Sequence, residues 1–184
     1  MNAIANLVKE HRRIEQMLSS LERLGLRLEA GDAVPEWAVE LVAFFELFAD
    51  QQHHAKEEAQ LFPVLAAHGI TPEHGLVEAL KHQHEMGRVH TRALRELLHR
   101  IAGGDRAAAA AFVVSAHSYA ELLRVHIQIE DDDLYPEAER TLTAGEQAAL
   151  AAAFDAADST RAAIDQHERW DRLAAACRSL TVHG

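Results

Sequence analysis

Six residues of this chain have the types and spacing to hold metal ions: His11, His53, Glu57, His84, His126 and Glu130. A shift of 73 positions carries His11 onto His84, His53 onto His126, Glu57 onto Glu130 and Pro63 onto Pro136. The segments His53-His-Ala-Lys-Glu-Glu-Ala-Gln-Leu-Phe-Pro63 and His126-Ile-Gln-Ile-Glu-Asp-Asp-Asp-Leu-Tyr-Pro136 align without a gap. Each half supplies one lone His and one His-x-x-x-Glu pair, the inventory of a two-metal site built twice from one template. An internal repeat of this kind fixes the architecture before other features do. Imidazole and carboxylate donors without a thiolate suit iron, manganese or zinc.

These ligands require helices to carry them. Ala is abundant, Gly and Pro are scarce and β-branched runs are few, which reads as all-helical. Helix A is expected from about Asn2 to Ala30, with a seam of Ile4, Leu7, Ile14, Leu18 and Leu21 and a stop at Gly31-Asp32. His11 takes the seam position between Leu7 and Ile14. Helix B is expected to open near Pro35 and run to Pro63 or a little past it, before Gly69. Helix C opens at Thr71-Pro72, with Thr71 as N-cap, and His84 again replaces an apolar seam residue. Gly103-Gly104 ends it, Asp105 caps helix D, and helix D runs to about Pro136.

The turns supply a test of height. The midpoint of His11 and His53 is residue 32, and that of His84 and His126 is residue 105; both fall in the expected turns. In an antiparallel hairpin, residues equidistant from the turn lie level. A rise of about 1.5 Å per residue puts both His pairs roughly 30 Å from their turns. A single core His, or one His-x-x-x-Glu surface pair, has an ordinary explanation. Two copies, both level with their turns, do not, and burying six such groups unpaired is costly.

Composition bounds the rest. The chain has 184 residues, 48% of them hydrophobic, enough for a sizeable core. A net charge of −11 argues against binding a nucleic-acid backbone. The single Cys177 excludes a disulfide framework and fits a reducing cytosol. The start shows no long apolar core and no basic leader, so we expect no signal peptide, no membrane association and a cytoplasmic location.

Four-helix bundles commonly hold di-iron carboxylate sites. Here Lys9-Glu10-His11, His53-x-x-x-Glu57-Glu58-x-x-Leu61-Phe62-Pro63, His84-Glu85-x-Gly87-Arg88 and His126-Ile-x-x-Glu130-Asp131 follow one another in order. Over about residues 1–140 the chain resembles the hemerythrin-like, HHE cation-binding family. The resemblance implies an antiparallel up-down four-helix bundle over 1–140, with residues 141–184 as an additional C-terminal helix. It implies two irons bridged by Glu57 and Glu130 and by an oxo or hydroxo group, with the four His as terminal ligands; zinc or manganese are substitutes. The oxygen carrier of this family has a further His one turn after the third-helix His, where this chain has Arg88. It also ends its last motif with an Asp one residue later than Glu130, the position of Asp131. One fewer His leaves coordination open to water, oxygen, peroxide or nitric oxide.

His54 and Glu58 repeat the four-residue spacing, but only His53 and Glu57 match the second half, where His54 falls on Ile127. His54 is therefore a spare ligand, a neighbour of the ligands or an ordinary buried polar residue. Glu46 and Tyr119 correspond under the shift and lie one heptad before their His; with Glu58, they are candidates to hydrogen-bond the ligands. Among the 13 His, those off the seam, including His167, are expected mostly at the surface. A capping box at Thr143–Glu146 opens the last helix, expected to reach about Ser179 and to pack on the bundle or in a dimer contact through Leu150, Phe154, Ile164, Trp170 and Cys177. The expected function is binding or sensing of a small diatomic or peroxide, by a monomer or homodimer. The alternative is peroxide or nitric oxide reduction, or iron delivery for repair of damaged iron centres.

Overall fold

The computed structural model describes residues 2–70 and 75–178, without the side chains of 161–164 and 166. Among the described residues it contains six helices and no strand. We number them α1 (Ala3–Glu29), α2 (38–67), α3 (Leu76–Ala102), α4 (107–141), α5 (Ala144–Asp158) and α6 (Arg161–Arg178). The first four form the bundle, in which α4 packs against α1 and α3, and α2 packs against α1 and α3. No described helix is long and apolar enough to cross a membrane.

The 73-residue repeat extends to the turns. Gly31 and Gly104, equivalent under the shift, adopt φ +95° and +94°, the left-handed region that L side chains avoid. The following Asp32 and Asp105 donate their N–H groups to the carbonyls of Arg27 and Arg100, also equivalent, at 3.0 Å in each case. Each Arg returns a side-chain hydrogen bond to the same Asp. This closure, from the residue after the glycine back five positions, satisfies carbonyls that a helix end leaves free.

Some expected element ends need revision, and one lies outside the described residues. Pro35–Trp37 form a turn, the N–H of Ala38 bonding the carbonyl of Pro35 at 3.0 Å, so α2 opens three residues later than expected. The Thr71-Pro72 start of helix C lies outside the described residues; α3 begins at Leu76 after Gly75. The last helix is two helices, because Ser159 leaves the helical path with ψ near 0° and the Thr160 hydroxyl bonds back to the carbonyl of Ala157. Short hydroxyl side chains that compete for the backbone favour such ends. The capping box at Thr143 and Glu146 forms as expected.

α2 and α4 both run through their prolines. Phe45–His54, Glu57–Leu61 and Glu130–Leu134 are wound as π-helix, and Pro63 and Pro136 stand just after the second and third of these. A π turn displaces the ordinary hydrogen-bond ladder, so the missing N–H of Pro interrupts nothing at that point. α4 accordingly continues to Thr141, past the expected stop at Pro136.

The core is in two pieces. One cluster joins Leu18, Leu21, Phe44, Phe48, Phe112 and Trp170, toward the two glycine turns. The other joins Leu7, Leu61, Leu65, Leu80, Leu134 and Phe154, toward the opposite end. Both C-terminal helices pack on the bundle, α5 through Leu150 and Phe154 and α6 through Trp170, Leu173 and Cys177; the side chain of Ile164 lies outside the described ones. Cys177 is a free, buried thiol, and burial pushes it above its ordinary pKa.

Candidate metal centre

Between the two apolar clusters lies a layer of six polar residues: His11 from α1, His53 and Glu57 from α2, His84 from α3, and His126 and Glu130 from α4. All six are at most 1% exposed. The four imidazoles turn Nε2 inward. His11 Nε2 stands 3.0 Å from His53 Nε2, and His84 Nε2 stands 3.2 Å from His126 Nε2. These are the two hairpin pairs that the turn midpoints placed level.

The carboxylates span the pairs. Glu130 Oε2 lies 3.2 Å from the Nε2 atoms of both His11 and His126. Glu57 Oε2 lies 3.8 Å from His53 Nε2 and 3.6 Å from His84 Nε2. Donor atoms of His11, His53, Glu57 and Glu130 therefore converge within 4.8 Å, as do those of His84, His126, Glu57 and Glu130. Both Glu residues belong to both groups. His53 lies within a π-wound segment and Glu57 and Glu130 each open one, and such turns recur at functional sites.

Each imidazole is oriented through Nδ1. His11 Nδ1 meets Asp131 Oδ1 at 2.8 Å, His53 Nδ1 meets Glu10 Oε2 at 2.9 Å, His84 Nδ1 meets Glu58 Oε1 at 2.7 Å and His126 Nδ1 meets Gln83 Oε1 at 3.0 Å. These acceptors require Nδ1–H, which leaves the Nε2 lone pairs aimed at the centre, the arrangement typical of metal-bound His. The partners obey the repeat: Glu10 and Gln83 precede the lone His, and Glu58 and Asp131 follow Glu57 and Glu130.

The electrostatics make the layer costly without a cation. Burial lowers His53 to about 4, against the raising effect of Glu10, and it lowers His84 as well. Burial and the nearby Glu130 carboxylate hold Glu57 well above the ordinary range. Glu130 is held well below it: burial opposes this, but His126 and His11 prevail. Glu57 Oε2 and both oxygens of Glu130 are buried with no hydrogen-bond partner among the described residues. Three orphaned carboxylate oxygens facing four imidazole lone pairs fit a pair of cations, which satisfies all of them at once.

Other expected residues divide. Glu58 does hold a ligand-type His: its bonds to His84 and to Arg88 keep it at about 2 against its partial burial. Arg88, at the position of the carrier's extra His, bonds Asp50 and Glu58 and so braces that contact. His54 is 3% exposed, stacks on the His84 ring at 3.9 Å and places a ring nitrogen within 4.8 Å of donors of His84 and His126. Its Nδ1 is orphaned. Glu46 instead turns to Arg95, and Tyr119 packs edge-on against Phe45, beside Gly87, so neither meets the expected hydrogen bond to a ligand. His167 is half-buried between Arg13 and Gln52 rather than at the surface.

Sequence reasoning missed Tyr135. Its buried hydroxyl donates to Glu57 Oε1 at 2.6 Å, lies 3.3 Å from His11 Nε2, and its ring stacks on His11 at 5.3 Å. The repeat carried a signal, since Tyr135 is the counterpart of Phe62 and differs from it by that hydroxyl alone. Glu10, Asp131 and Gln83 were likewise legible as neighbours of the six residues, though not as their partners.

Comparison with curated proteins gives no match. Residues 2–138 match the Hemerythrin HHE cation binding domain, so the chain belongs to the hemerythrin family of cation-binding domains.

Proposed function

We propose that the layer holds two irons and binds a small diatomic or peroxide at an open position of one of them. In this reading Glu57 and Glu130 bridge the ions, His11 and His53 complete one position, and His84 and His126 complete the other. Zinc and manganese suit the same donors. The observation that carries the reading is the pair of four-donor groups sharing two buried carboxylates. His54 is assigned as a third nitrogen at the His84–His126 position, supplying from α2 what α3 lacks at Arg88. The His11–His53 position then has fewer nitrogens and takes the exogenous ligand. Bound iron supplies Lewis acidity and a change of oxidation state. The protein orients the imidazoles through their Nδ1 partners and excludes water with the two apolar clusters.

Turnover of peroxide or nitric oxide is a second reading, favoured by the Tyr135 hydroxyl beside Glu57 and His11, which is a proton donor at the edge of the more open position. Metal analysis with optical spectra, before and after addition of azide or peroxide, tests the first reading. Two irons per chain with ligand-sensitive charge-transfer bands are expected; one zinc or no metal refutes it. Steady consumption of peroxide or nitric oxide by the iron-loaded protein moves the assignment to the second.

A further inference from the structure

The two halves of the repeat also differ in what holds the His of the His-x-x-x-Glu motif. His126 is held by the neutral amide of Gln83, whereas His53 is held by the carboxylate of Glu10. Glu10 in turn accepts from Lys56 Nζ at 2.5 Å. Lys56 is 3% exposed, and a buried Lys is found almost only with partners. Its repeat counterpart is Ile129. The second partner of Lys56 comes from outside the bundle: Asp158, the last residue of α5, whose carboxylate oxygens lie 3.0 and 3.2 Å from Nζ. Gln52 and Asn6 donate to the same carboxylate at 2.9 and 3.3 Å, and Phe154, one turn earlier on α5, places its ring 5.5 Å from Nζ. α5 lies beyond the residues matched to the family.

We propose that Asp158 is a positioning residue for the His11–His53 metal position, acting through Lys56 and Glu10 on His53, so that the C-terminal helices tune one ion of the pair and not the other. This rests on the two-ion reading above. Charge alternates along the chain Asp158⁻, Lys56⁺, Glu10⁻, His53. Lys56 alone would draw charge from Glu10. Asp158 offsets it and keeps Glu10 a strong acceptor for the Nδ1–H of His53, which makes Nε2 a stronger donor. At the other position His84 meets the carboxylate of Glu58, braced by Arg88 and Asp50, but His126 meets only the Gln83 amide, so that position has one carboxylate partner where the His11–His53 position has two, Asp131 and Glu10. The His11–His53 position is thereby the one that better holds the more highly charged, ferric state.

The test uses the full-length, iron-loaded protein and two measurements besides activity: the rate at which each ion is lost to a chelator, and the midpoint potentials followed optically. Asp158→Asn keeps the shape and removes the charge. It is expected to speed loss of one of the two ions at least threefold and to raise one potential, by 59 mV for each tenfold change in the preference for ferric over ferrous iron; Asp158→Glu restores both. The double variant Lys56→Ile/Glu10→Gln copies the Ile129–Gln83 pair into the first half and leaves Asp158 its bonds from Gln52 and Asn6. It is expected to weaken one ion at least tenfold, the lower bound for losing such a partner, and to bring the two potentials together. Asp171→Asn removes a carboxylate that bonds Arg13 in the same cluster but does not touch Lys56, and is expected to change neither quantity. If wild type holds two ions but the double variant loses and titrates them as wild type does, or Asp171→Asn shifts them as much as Asp158→Asn, the relay is overturned alone. A wild type without two ions overturns it together with the two-ion reading.

Discussion

Glu57→Gln should stabilise the metal-free protein while abolishing the proposed binding of two ions. In the metal-free layer Glu57 and Glu130 are both fully buried, and Glu130 has two oxygens without a partner. The substituted amide keeps an acceptor for the Tyr135 hydroxyl and adds an N–H group that donates to Glu130. A hydrogen bond to a buried charged acceptor contributes about 1.5–3 kcal/mol. For a chain of this length each kcal/mol moves Tm by about 2–4 °C, so the stripped variant should melt roughly 3–12 °C above stripped wild type. The gain should depend on pH. The folded-state pKa of Glu57 is raised, so folded wild type binds a proton that the unfolded chain releases above about 4.5. Wild type then loses stability as pH rises from there toward the raised value, and the Glu57→Gln variant has no such loss. The gap should therefore be small near pH 5 and widen toward pH 8. Iron should reverse the order, because a ligand that binds only the folded state adds stability by mass action and the variant cannot bridge two ions. Calorimetry of both proteins, stripped and loaded, at pH 5 and pH 8 measures this. A stripped variant that melts below stripped wild type at pH 8, or that retains both irons, refutes the reasoning.

Three further outcomes follow from particular contacts. Tyr135→Phe copies the Phe62 side of the repeat and removes the donor to Glu57 Oε1; urea unfolding of the metal-free protein should show a loss of about 1–3 kcal/mol, and no loss would mean the hydroxyl is not bonded there. His53, lowered to about 4 by burial, stays neutral in the fold while the unfolded chain takes up a proton below about 6.5. His53 should therefore contribute a loss of about 3 kcal/mol as pH falls from 6.5 to 4, beside that of His84 and His54, and His53→Asn should lessen the acid slope by that share in a urea series of the metal-free protein. Gly104→Ala meets no atom within 4 Å, so its cost is that of the backbone at φ +94° alone: about 1–2 kcal/mol, or a Tm lower by roughly 2–8 °C.

The candidate site was legible to the extent that metal binding constrains residue type and spacing. His11, His53, Glu57, His84, His126 and Glu130 stand out because a two-fold site needs the same donors twice, and the turns at Gly31 and Gly104 set their height. Partners across helices were not legible. Asp131 serves His11 from the fourth helix and Glu58 serves His84 from the second, pairings that depend on how adjacent helices are rotated against one another. Glu46 was misjudged for the same reason: a heptad before His53 is the same face on an α-helix, but Phe45–His54 is wound as π-helix, and the face turns toward Arg95 instead. Pro136 read as a stop because the sequence does not disclose that a π turn precedes it.

Sequence alone determined an all-helical bundle, the order of its helices, its internal repeat and the six polar residues at its centre, because periodicity, turn glycines and donor types are local or periodic properties of the chain. Only the tertiary structure decided which nitrogen of each His faces inward, that Tyr135 bonds Glu57, and that His54 joins the His84 side. It alone brought Asp158, far away in the chain, onto Lys56 beside His53. These depend on side chains from separate helices meeting in a buried layer, where an unpaired charge is costly and every partner is set by packing rather than by distance along the chain.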